Sequence, residues 1–271
     1  MASGETKEVL WRNWCAVAKL VDIIGDVMAT LWYDVQPECV ICFGREGPVC
    51  PTCREIYFLP ETARCPGCGK IMVQRDPDHR ESCHPEGVCL DCREGRGPES
   101  LAKVTALGHF HGGWRDFIHK VKYRRNPQLL TLVADEASRW AIQNLPVPDI
   151  ITAAPMHVEK IRERGFNQAE VLASLLAWNL TVPYRPLLRR EAQNVPQMGL
   201  DRQGRLENLA EAIRLHSACQ NGGDLRGRVC WLVDDVTTTG ATLEQSARTL
   251  LAGGAREVYG FCLGAAMAIH G

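Results

Sequence analysis

The 271-residue sequence has no long uninterrupted apolar run and almost no net charge. Its longest apolar stretch near the N-terminus is broken by Lys19, Asp22 and Asp26, so it predicts neither a signal peptide nor a membrane span. The formal charge of -1 excludes a strongly basic nucleic-acid binder and an acidic tail, although local charged patches remain allowed. No internal repeat or low-complexity tract is evident. With 45% hydrophobic residues, we expect a cytoplasmic globular protein of one or two domains.

The chain is rich in cysteine, with 13 residues. Without an export signal, such a number favours metal binding over disulfides. Eight of the cysteines form four Cys-x-x-Cys pairs: Cys39/Cys42, Cys50/Cys53, Cys65/Cys68 and Cys89/Cys92. Two such pairs supply the four thiolates that zinc prefers, so the sequence predicts two structural zinc ions. Redox cysteines, disulfides and iron–sulfur ligation are the alternatives, and the regular spacing beside Gly and Pro disfavours them.

The order in which the pairs combine stays open at the level of sequence. Sequential pairing would place seven residues between the turns of the first site and twenty between those of the second. Interleaved pairing uses the same eight cysteines, but the short first spacer favours a compact hairpin and therefore sequential pairing. Cys83 or His84 could replace one ligand of the second site. Cys230 and Cys262 lie in apolar runs and are expected in the core.

Three segments follow from these patterns: 1–36, 37–98 and 99–271. Apolar residues spaced by three and four over 12–33 predict an amphipathic helix that packs within the chain or in a dimer, because its charged face is mostly acidic and an anionic bilayer would repel it. The second segment is the cysteine-rich metal-binding region. The third alternates predicted strands with helices, which indicates an α/β fold with a parallel sheet that binds ligand at the carboxyl ends of its strands. The predicted strands are 104–110, 149–155, 228–236 and 258–263, and the predicted helices are 114–122, 129–142, 167–179 and 241–252.

Two adjacent carboxylates, Asp234 and Asp235, end the apolar strand that begins at Val229. A loop of small residues then enters a helix, and its backbone N–H groups and hydroxyls form a typical phosphate cradle. The candidate phosphate-binding residues are Thr237, Thr238, Thr239, Gly240, Ala241 and Thr242. Because two carboxylates would repel a phosphate unless they bind polar groups beside it, the pattern indicates a ribose 5-phosphate whose hydroxyls contact the two aspartates. The alternative is a strand end followed by an ordinary helix cap.

This segment resembles the phosphoribosyl pyrophosphate (PRPP) binding motif of the type I phosphoribosyltransferases. The run from Arg164 to Gln168, Arg-Gly-Phe-Asn-Gln, resembles the ComF family of competence-associated proteins, which also carry an N-terminal double zinc ribbon. The resemblance covers nearly the whole chain from Cys39 onward. The chain departs from the family at Ala153-Ala154-Pro155, where Pro-x-Pro is usual, and at Thr237, where an aliphatic residue is common.

The resemblance implies a type I phosphoribosyltransferase-like sheet that binds PRPP with Mg²⁺, which bridges the pyrophosphate and the ribose hydroxyls. It implies transfer of the phosphoribosyl group to an acceptor that the sequence does not name, in the manner of a pentosyltransferase, and an association with DNA uptake in natural transformation. Asp234 and Asp235 would hold the ribose.

Arg162 and Arg164 would meet pyrophosphate oxygens, or belong to a solvated helix start in the mixed-charge run from Lys160 to Arg164. Asn167 and Gln168 would contact ligand or cap the following helix. Residues 189–208, rich in arginine, resemble the mobile hood that sets acceptor specificity. His157 and His216 are expected to be ordinary surface or packing residues.

A second hypothesis is a PRPP-sensing protein that binds single-stranded DNA without turnover. Residues 114–128 carry a basic patch with interleaved aromatic residues, as base stacking and phosphate contacts require. The patch comprises Arg115, Lys120, Lys122, Arg124 and Arg125, with Trp114, Phe117 and Tyr123. The alternative is a solvated helix face with its aromatics buried. The expected partners are therefore PRPP, single-stranded DNA, other DNA-uptake proteins and a second copy of the chain.

Overall fold

The computed structural model describes residues 38–44, 46–59, 64–72, 88–123, 126–190, 213–216 and 225–268. Its centre is a four-stranded sheet in the order β1-β6-β5-β2, in which all neighbouring strands are parallel. The strands are β1 (Lys103–His109), β2 (Ile150–Ala153), β5 (Val229–Thr237) and β6 (Glu257–Ala265).

Near-continuous apolar runs form these strands because both faces of the sheet are covered. Trp231 of β5 lies opposite Tyr259 of β6 on one side and Ile151 of β2 on the other, and its side chain is fully buried. Cys230 and Cys262 are also fully buried, as expected of core cysteines. The parallel sheet flanked by helices confirms the predicted α/β fold class.

Four longer helices surround the sheet and agree with the predicted ones to within a few residues at each end. Helix α4 (Thr131–Asn144) packs against α6 (Gln168–Leu180) and β1, and α6 covers β2 and β5. Helix α7 (Ala241–Ala252) packs against β5 and β6. A short 3-10 turn (Pro127–Leu130) leads into α4. The fourth of these helices is α3 (Gly112–Tyr123).

Several short elements add to the predicted strands and helices. Strands β3 (Leu188–Arg190) and β4 (Ile213–Leu215) form a small antiparallel ladder, and helix α5 (Val158–Arg164) follows β2. In the cysteine-rich region, α1 (Pro51–Tyr57) and α2 (Leu90–Arg93) each begin directly after a cysteine. These segments are too short for a periodic apolar pattern to identify them.

The first part of the cysteine-rich region shares one hydrophobic core with the sheet, while the second set of cysteines packs in a smaller cluster with Ala268. The ring of Phe58 meets Trp114 edge-on with ring centres 5.0 Å apart, and the indole of Trp114 donates to Leu263 O at 2.9 Å. Ile71 N donates to Ala266 O at 3.1 Å, which ties the second cysteine-rich stretch to the chain just beyond β6. The segment boundaries at 36/37 and 98/99 stay predictions.

Some predicted features lie outside the described residues. These are the amphipathic helix over 12–33, Cys83 and His84, and residues 191–208 of the predicted hood. Among the described helices, none combines the length and apolar character needed to cross a bilayer.

Candidate functional site

The predicted ligand-binding residues come from the carboxyl ends of two neighbouring strands, β5 and β2. Strand β5 carries the acidic pair near its carboxyl end and continues to Thr237, after which the threonine loop leads into α7. Strand β2 ends at Ala153, and α5 and the Arg164–Gln168 motif follow it. Because the two strands are paired in parallel, both loops emerge from the same edge of the sheet, where ligands bind in such folds.

The acidic pair is partly buried and is matched by a lysine from another element. Lys122 Nζ, near the end of α3, lies 2.9 Å from Asp235 Oδ2, and the two side chains are 17% and 14% exposed. Asp234 Oδ1 accepts a hydrogen bond from Asp235 N at 2.8 Å. Burial, together with the charge of Asp235, raises the pKa of Asp234 to about 7, although Lys122 and Arg190 oppose that rise.

Arg190, at the end of β3, is the second cation associated with this pair. Burial lowers its pKa, and the charge of Asp234 raises it. Its Nε is buried with no hydrogen-bond partner among the described residues. Burial and the positive charges of Arg190 and Lys160 lower the pKa of His157, which precedes α5. Arg190 therefore acts electrostatically on a carboxylate near the end of β5 and on a histidine that follows β2.

The threonine loop has an open side and a buried side. Thr238, Thr239 and Ala241 are exposed, and Thr242 is half-buried at the start of α7. Gly240 has φ +78°, a left-handed conformation that L side chains rarely adopt. The exposed hydroxyls and the first turn of α7 are the donors that a dianionic phosphate would use.

Thr237 differs from the other threonines of this loop. It is the last residue of β5 and only 3% exposed, and its hydroxyl has no partner among the described residues. Its carbonyl accepts from Ala266 N at 2.9 Å. The phosphate-binding role predicted for Thr237 stays a prediction, and the structure places its side chain away from solvent.

Helix α7, which the loop enters, is fastened to the chain that follows the second cysteine cluster. The carboxylate of Glu244 accepts from Glu99 N and Ser100 N, each at 2.9 Å, and from the Ser100 hydroxyl at 2.8 Å. A Cβ at Gly240 would lie 3.3 Å from Pro98 Cδ, so the loop also lies close against this segment.

On the β2 side, Asn167 caps a helix. Its Oδ1 accepts from Ala169 N at 3.1 Å, and its Nδ2 donates to Ala154 O at 3.0 Å. The side chain is 3% exposed. These bonds tie α6 to the chain that follows β2, so they agree with the capping alternative and assign Asn167 a local structural role.

The neighbouring motif residues have different surroundings. Gln168 is 1% exposed and accepts from Arg164 at 3.5 Å, while its Nε2 has no partner among the described residues. The guanidinium carbon of Arg164 lies 5.7 Å from the ring centre of Tyr123, which is 68% exposed. Arg162 lies exposed on α5. The structure thus brings Arg164 next to the end of α3, where Lys122 meets the acidic pair.

The first four cysteines form one cluster. The Sγ atoms of Cys39, Cys42, Cys50 and Cys53 all lie within 4.8 Å of one another. Cys42 Sγ and Cys50 Sγ are 3.6 Å apart, and Cys50 N donates to Cys39 Sγ at 3.4 Å. Although burial raises the pKa of Cys39, hydrogen bonds from backbone N–H groups outweigh it and lower that pKa to about 6.

The second cluster contains Cys65, Cys68, Cys89 and Cys92. Its Sγ atoms are 3.7 Å apart for Cys65 and Cys92 and 3.5 Å apart for Cys68 and Cys89. A tetrahedral zinc ion at about 2.3 Å from each sulfur needs sulfurs about 3.8 Å apart, so both clusters fit zinc. The structure confirms sequential pairing of the four Cys-x-x-Cys turns.

The predicted basic patch is divided between core and surface. Trp114 and Phe117 are 0% and 1% exposed and stack on each other with ring centres 5.0 Å apart, so they cannot stack on bases. This agrees with the alternative in which the aromatic residues are buried. Tyr123 remains exposed, and so does Phe43, whose ring centre lies 4.1 Å from Lys120 Nζ. Arg124 and Arg125 lie outside the described residues.

Sequence reasoning did not assign Lys122 or Arg190 to the acidic pair. It placed Lys122 in the basic patch and Arg190 in the hood. The sequence did indicate that a cation lies near the acidic pair, because two adjacent carboxylates near a buried strand end require a compensating positive charge. Nothing in the sequence indicates which of the many Lys and Arg residues supplies it.

Several curated proteins are similar to this chain over most of its length. "DNA utilization protein YhgH" of Salmonella typhi is 26% identical over 225 residues, which cover 79% of this chain and 96% of that protein. "Competence protein F" of Haemophilus influenzae is 28% identical over 225 residues, covering 77% and 93%. "Competence protein ComFC" of Bacillus subtilis is 26% identical over 240 residues, covering 87% and 90%. No protein-family model matches the chain.

Solved structures give partial likenesses. A glutamine PRPP amidotransferase from B. subtilis is 17% identical with a TM-score of 0.35, over 50% of this chain and 26% of that one. An adenine phosphoribosyltransferase from Thermoanaerobacter pseudethanolicus is 23% identical with a TM-score of 0.29, over 47% and 65%. The match therefore spans about a quarter of the amidotransferase chain. Likenesses of this extent carry no conclusion about activity.

Proposed function

We propose that this chain, a homologue of the ComF-type competence proteins, binds PRPP at the edge of the sheet where β5 and β2 end and transfers its phosphoribosyl group to an acceptor. The observation that carries the proposal is the acidic pair Asp234 and Asp235, which lies near the carboxyl end of β5, shortly before exposed threonines at a helix N-terminus. A carboxylate pair beside a phosphate cradle suits a ligand that carries both vicinal hydroxyls and a phosphate.

Each part of the site has a distinct task in this proposal. The carboxylates of Asp234 and Asp235 accept hydrogen bonds from the ribose hydroxyls, and the threonine loop holds the 5-phosphate. Arg164 approaches the pyrophosphate from the loop that follows β2, supported by its contacts with Gln168 and Tyr123. Arg162, exposed on the same helix, provides a further positive charge.

The proposed reaction is a displacement at C1 of the ribose. The bond between C1 and the pyrophosphate oxygen breaks as the acceptor atom bonds to C1, and the acidic pair stabilises the positive charge that develops on the ring. The pyrophosphate and ribose oxygens that these residues orient are the hard ligands that Mg²⁺ prefers. When bound there, Mg²⁺ would neutralise charge on the leaving group.

The two cysteine clusters serve as structural zinc sites in this proposal. Each has four sulfurs at tetrahedral spacing, so no ligand position is left for a substrate. Eight thiols that must stay reduced to bind metal also support a cytoplasmic location. The names of the relatives support an association with DNA utilization and competence, in which single-stranded DNA, other DNA-uptake proteins and a second copy of the chain are the proposed partners.

The second candidate is a PRPP-sensing, DNA-binding protein without turnover. It is favoured by one surface observation: Tyr123 and Phe43 are exposed, and each has a cation over its ring. Exposed aromatic rings next to cations are the usual contacts for single-stranded bases and phosphates.

A pyrophosphate-release assay separates the two candidates. The zinc-loaded protein is incubated with PRPP, Mg²⁺ and a panel of nucleobases and amines, and the Asp234→Asn/Asp235→Asn variant is the control. Release that depends on both an acceptor and the acidic pair supports the transferase. No release with any acceptor, together with salt-dependent binding of single-stranded oligonucleotides that Tyr123→Ala weakens, supports the second candidate.

A further inference from the structure

Lys122 is held in place by the core while its charged end reaches the acidic pair. Helix α3 buries Trp114, Phe117, Ile118 and Val121. Val121, which directly precedes Lys122, is 2% exposed. The last turn of α3 is therefore anchored to the core next to Lys122.

The ion pair with Asp235 differs from an ordinary surface pair. Lys122 and Asp235 are 17% and 14% exposed, whereas Arg139 in the Arg139–Glu136 pair is 67% exposed. Exposed pairs contribute little, but removing one member of a partly buried pair leaves a charge without compensation. Loss of Lys122 would therefore leave the partly buried Asp235 without this compensating charge.

The pair also crosses the sheet. Helix α3 follows β1, and in the strand order β6 lies between β1 and β5, so Lys122 reaches Asp235 across the end of β6. An ion pair between two elements fixes the orientation of the carboxylate. Two adjacent carboxylates at a strand end repel one another, and this cation offsets that repulsion.

We propose that Lys122 is a positioning residue of the PRPP site, which holds the Asp235 carboxylate in the orientation that accepts hydrogen bonds from the ribose hydroxyls. The inference rests on the proposed function and adds a residue from outside both sequence motifs. A sugar hydroxyl needs a correctly directed acceptor, and the contact of Lys122 Nζ with Asp235 Oδ2 at 2.9 Å fixes the direction of that carboxylate. Its charge also reduces the repulsion between the acidic pair and an anionic substrate.

The test is calorimetric titration of the full-length, zinc-loaded protein with PRPP and Mg²⁺. Lys122→Met should weaken PRPP affinity at least about tenfold, which corresponds to about 1.4 kcal/mol. Lys122→Arg, which keeps the charge, should restore much of the loss. The matched control is Lys103→Met, since Lys103 donates to Asn144 O at 3.0 Å from the start of β1, at the opposite end of the strand from the site. That variant should bind like wild type.

A second titration, with inorganic pyrophosphate, distinguishes positioning from direct phosphate contact. Because Asp235 faces the ribose in the proposal, Lys122→Met should weaken pyrophosphate binding much less than PRPP binding. Urea unfolding checks that each variant folds, and Lys122→Gln replaces Lys122→Met if the latter does not.

Each outcome of these titrations decides the inference. Equal PRPP affinity of wild type and Lys122→Met overturns it and leaves the proposed function standing. No rescue by Lys122→Arg, or an equal loss for PRPP and pyrophosphate, also overturns it. If wild type does not bind PRPP, both the inference and the proposed function fail.

Discussion

Replacing Glu244 should weaken both the fold and the phosphate loop, because this side chain fastens the start of α7. Its carboxylate accepts from Glu99 N, Ser100 N and the Ser100 hydroxyl at 2.8–2.9 Å. The side chain is only 16% exposed, and Arg248 Nε also donates to it. The segment that Glu244 holds starts at Pro98, which lies against Gly240 of the loop.

The size of the effect follows from these bonds. A hydrogen bond to a charged group contributes about 1.5–3 kcal/mol, and several bonds to one carboxylate are not additive. We expect Glu244→Ala to lower the free energy of unfolding by about 2–4 kcal/mol and Glu244→Gln by about half as much, since the amide keeps one acceptor. Urea unfolding measures both, with Glu159→Gln as the control because Glu159 also lies in the first turn of a helix but is exposed.

The effect should depend on pH in a defined direction. Burial raises the pKa of Glu244, but hydrogen bonds from Ser100 and the contact with Arg248 outweigh it, so the pKa is lowered. The stabilisation is therefore complete above the ordinary glutamate pKa of about 4.3 and is lost as the pH falls through the lower folded-state value. A Glu244→Ala variant as stable as Glu159→Gln at pH 7, or a difference that grows on acidification, would refute the reasoning.

Three other predictions concern the clusters, the acidic pair and the core. Cys39→Ser and Cys65→Ser should each lose one of two zinc ions by metal analysis, and loss of both ions from either variant would contradict separate sites. Asp234→Asn should raise the urea midpoint more at pH 8 than at pH 5. The pKa of Asp234 is about 7 in the folded protein and about 3.9 in the unfolded chain, so ionisation of this group lowers stability as the pH rises from about 4 to 7. An equal shift of the midpoint at both pH values would contradict this. Phe117→Ala should cost about 3–5 kcal/mol by urea unfolding, since the ring is 1% exposed, and a loss below about 1 kcal/mol would show that the core closes around it.

Local patterns were sufficient to predict much of the fold. The apolar run from Val229 and the Gly253-Gly254 stop predicted β5 and α7 because burial and helix termination act over a few residues. The Cys-x-x-Cys pairs predicted both metal clusters because each turn brings two metal ligands together within four residues. Helix α5 was expected only as an alternative, a solvated helix start, because its seven residues are a mixed-charge run without a buried side chain.

Contacts between distant segments were not predictable from the sequence. Lys122 and Asp235 meet only because α3 and β5 end at the same edge of the sheet, and no local feature of either segment names the other. The capping role of Asn167 was one of two alternatives, and its bonds to Ala154 and Ala169 required coordinates. The core shared by Phe58 and Trp114 likewise depends on how the cysteine-rich region folds back onto the sheet.

Calorimetric titration of the zinc-loaded protein with PRPP and Mg²⁺ tests the central claim most directly. The variant Asp234→Asn/Asp235→Asn keeps the shape of both side chains and removes their charge, so it is the matched comparison. We expect saturable binding by wild type with a stoichiometry of one and a loss of at least about tenfold in the variant. Equal binding by the two proteins, or no binding by folded wild type, would contradict it.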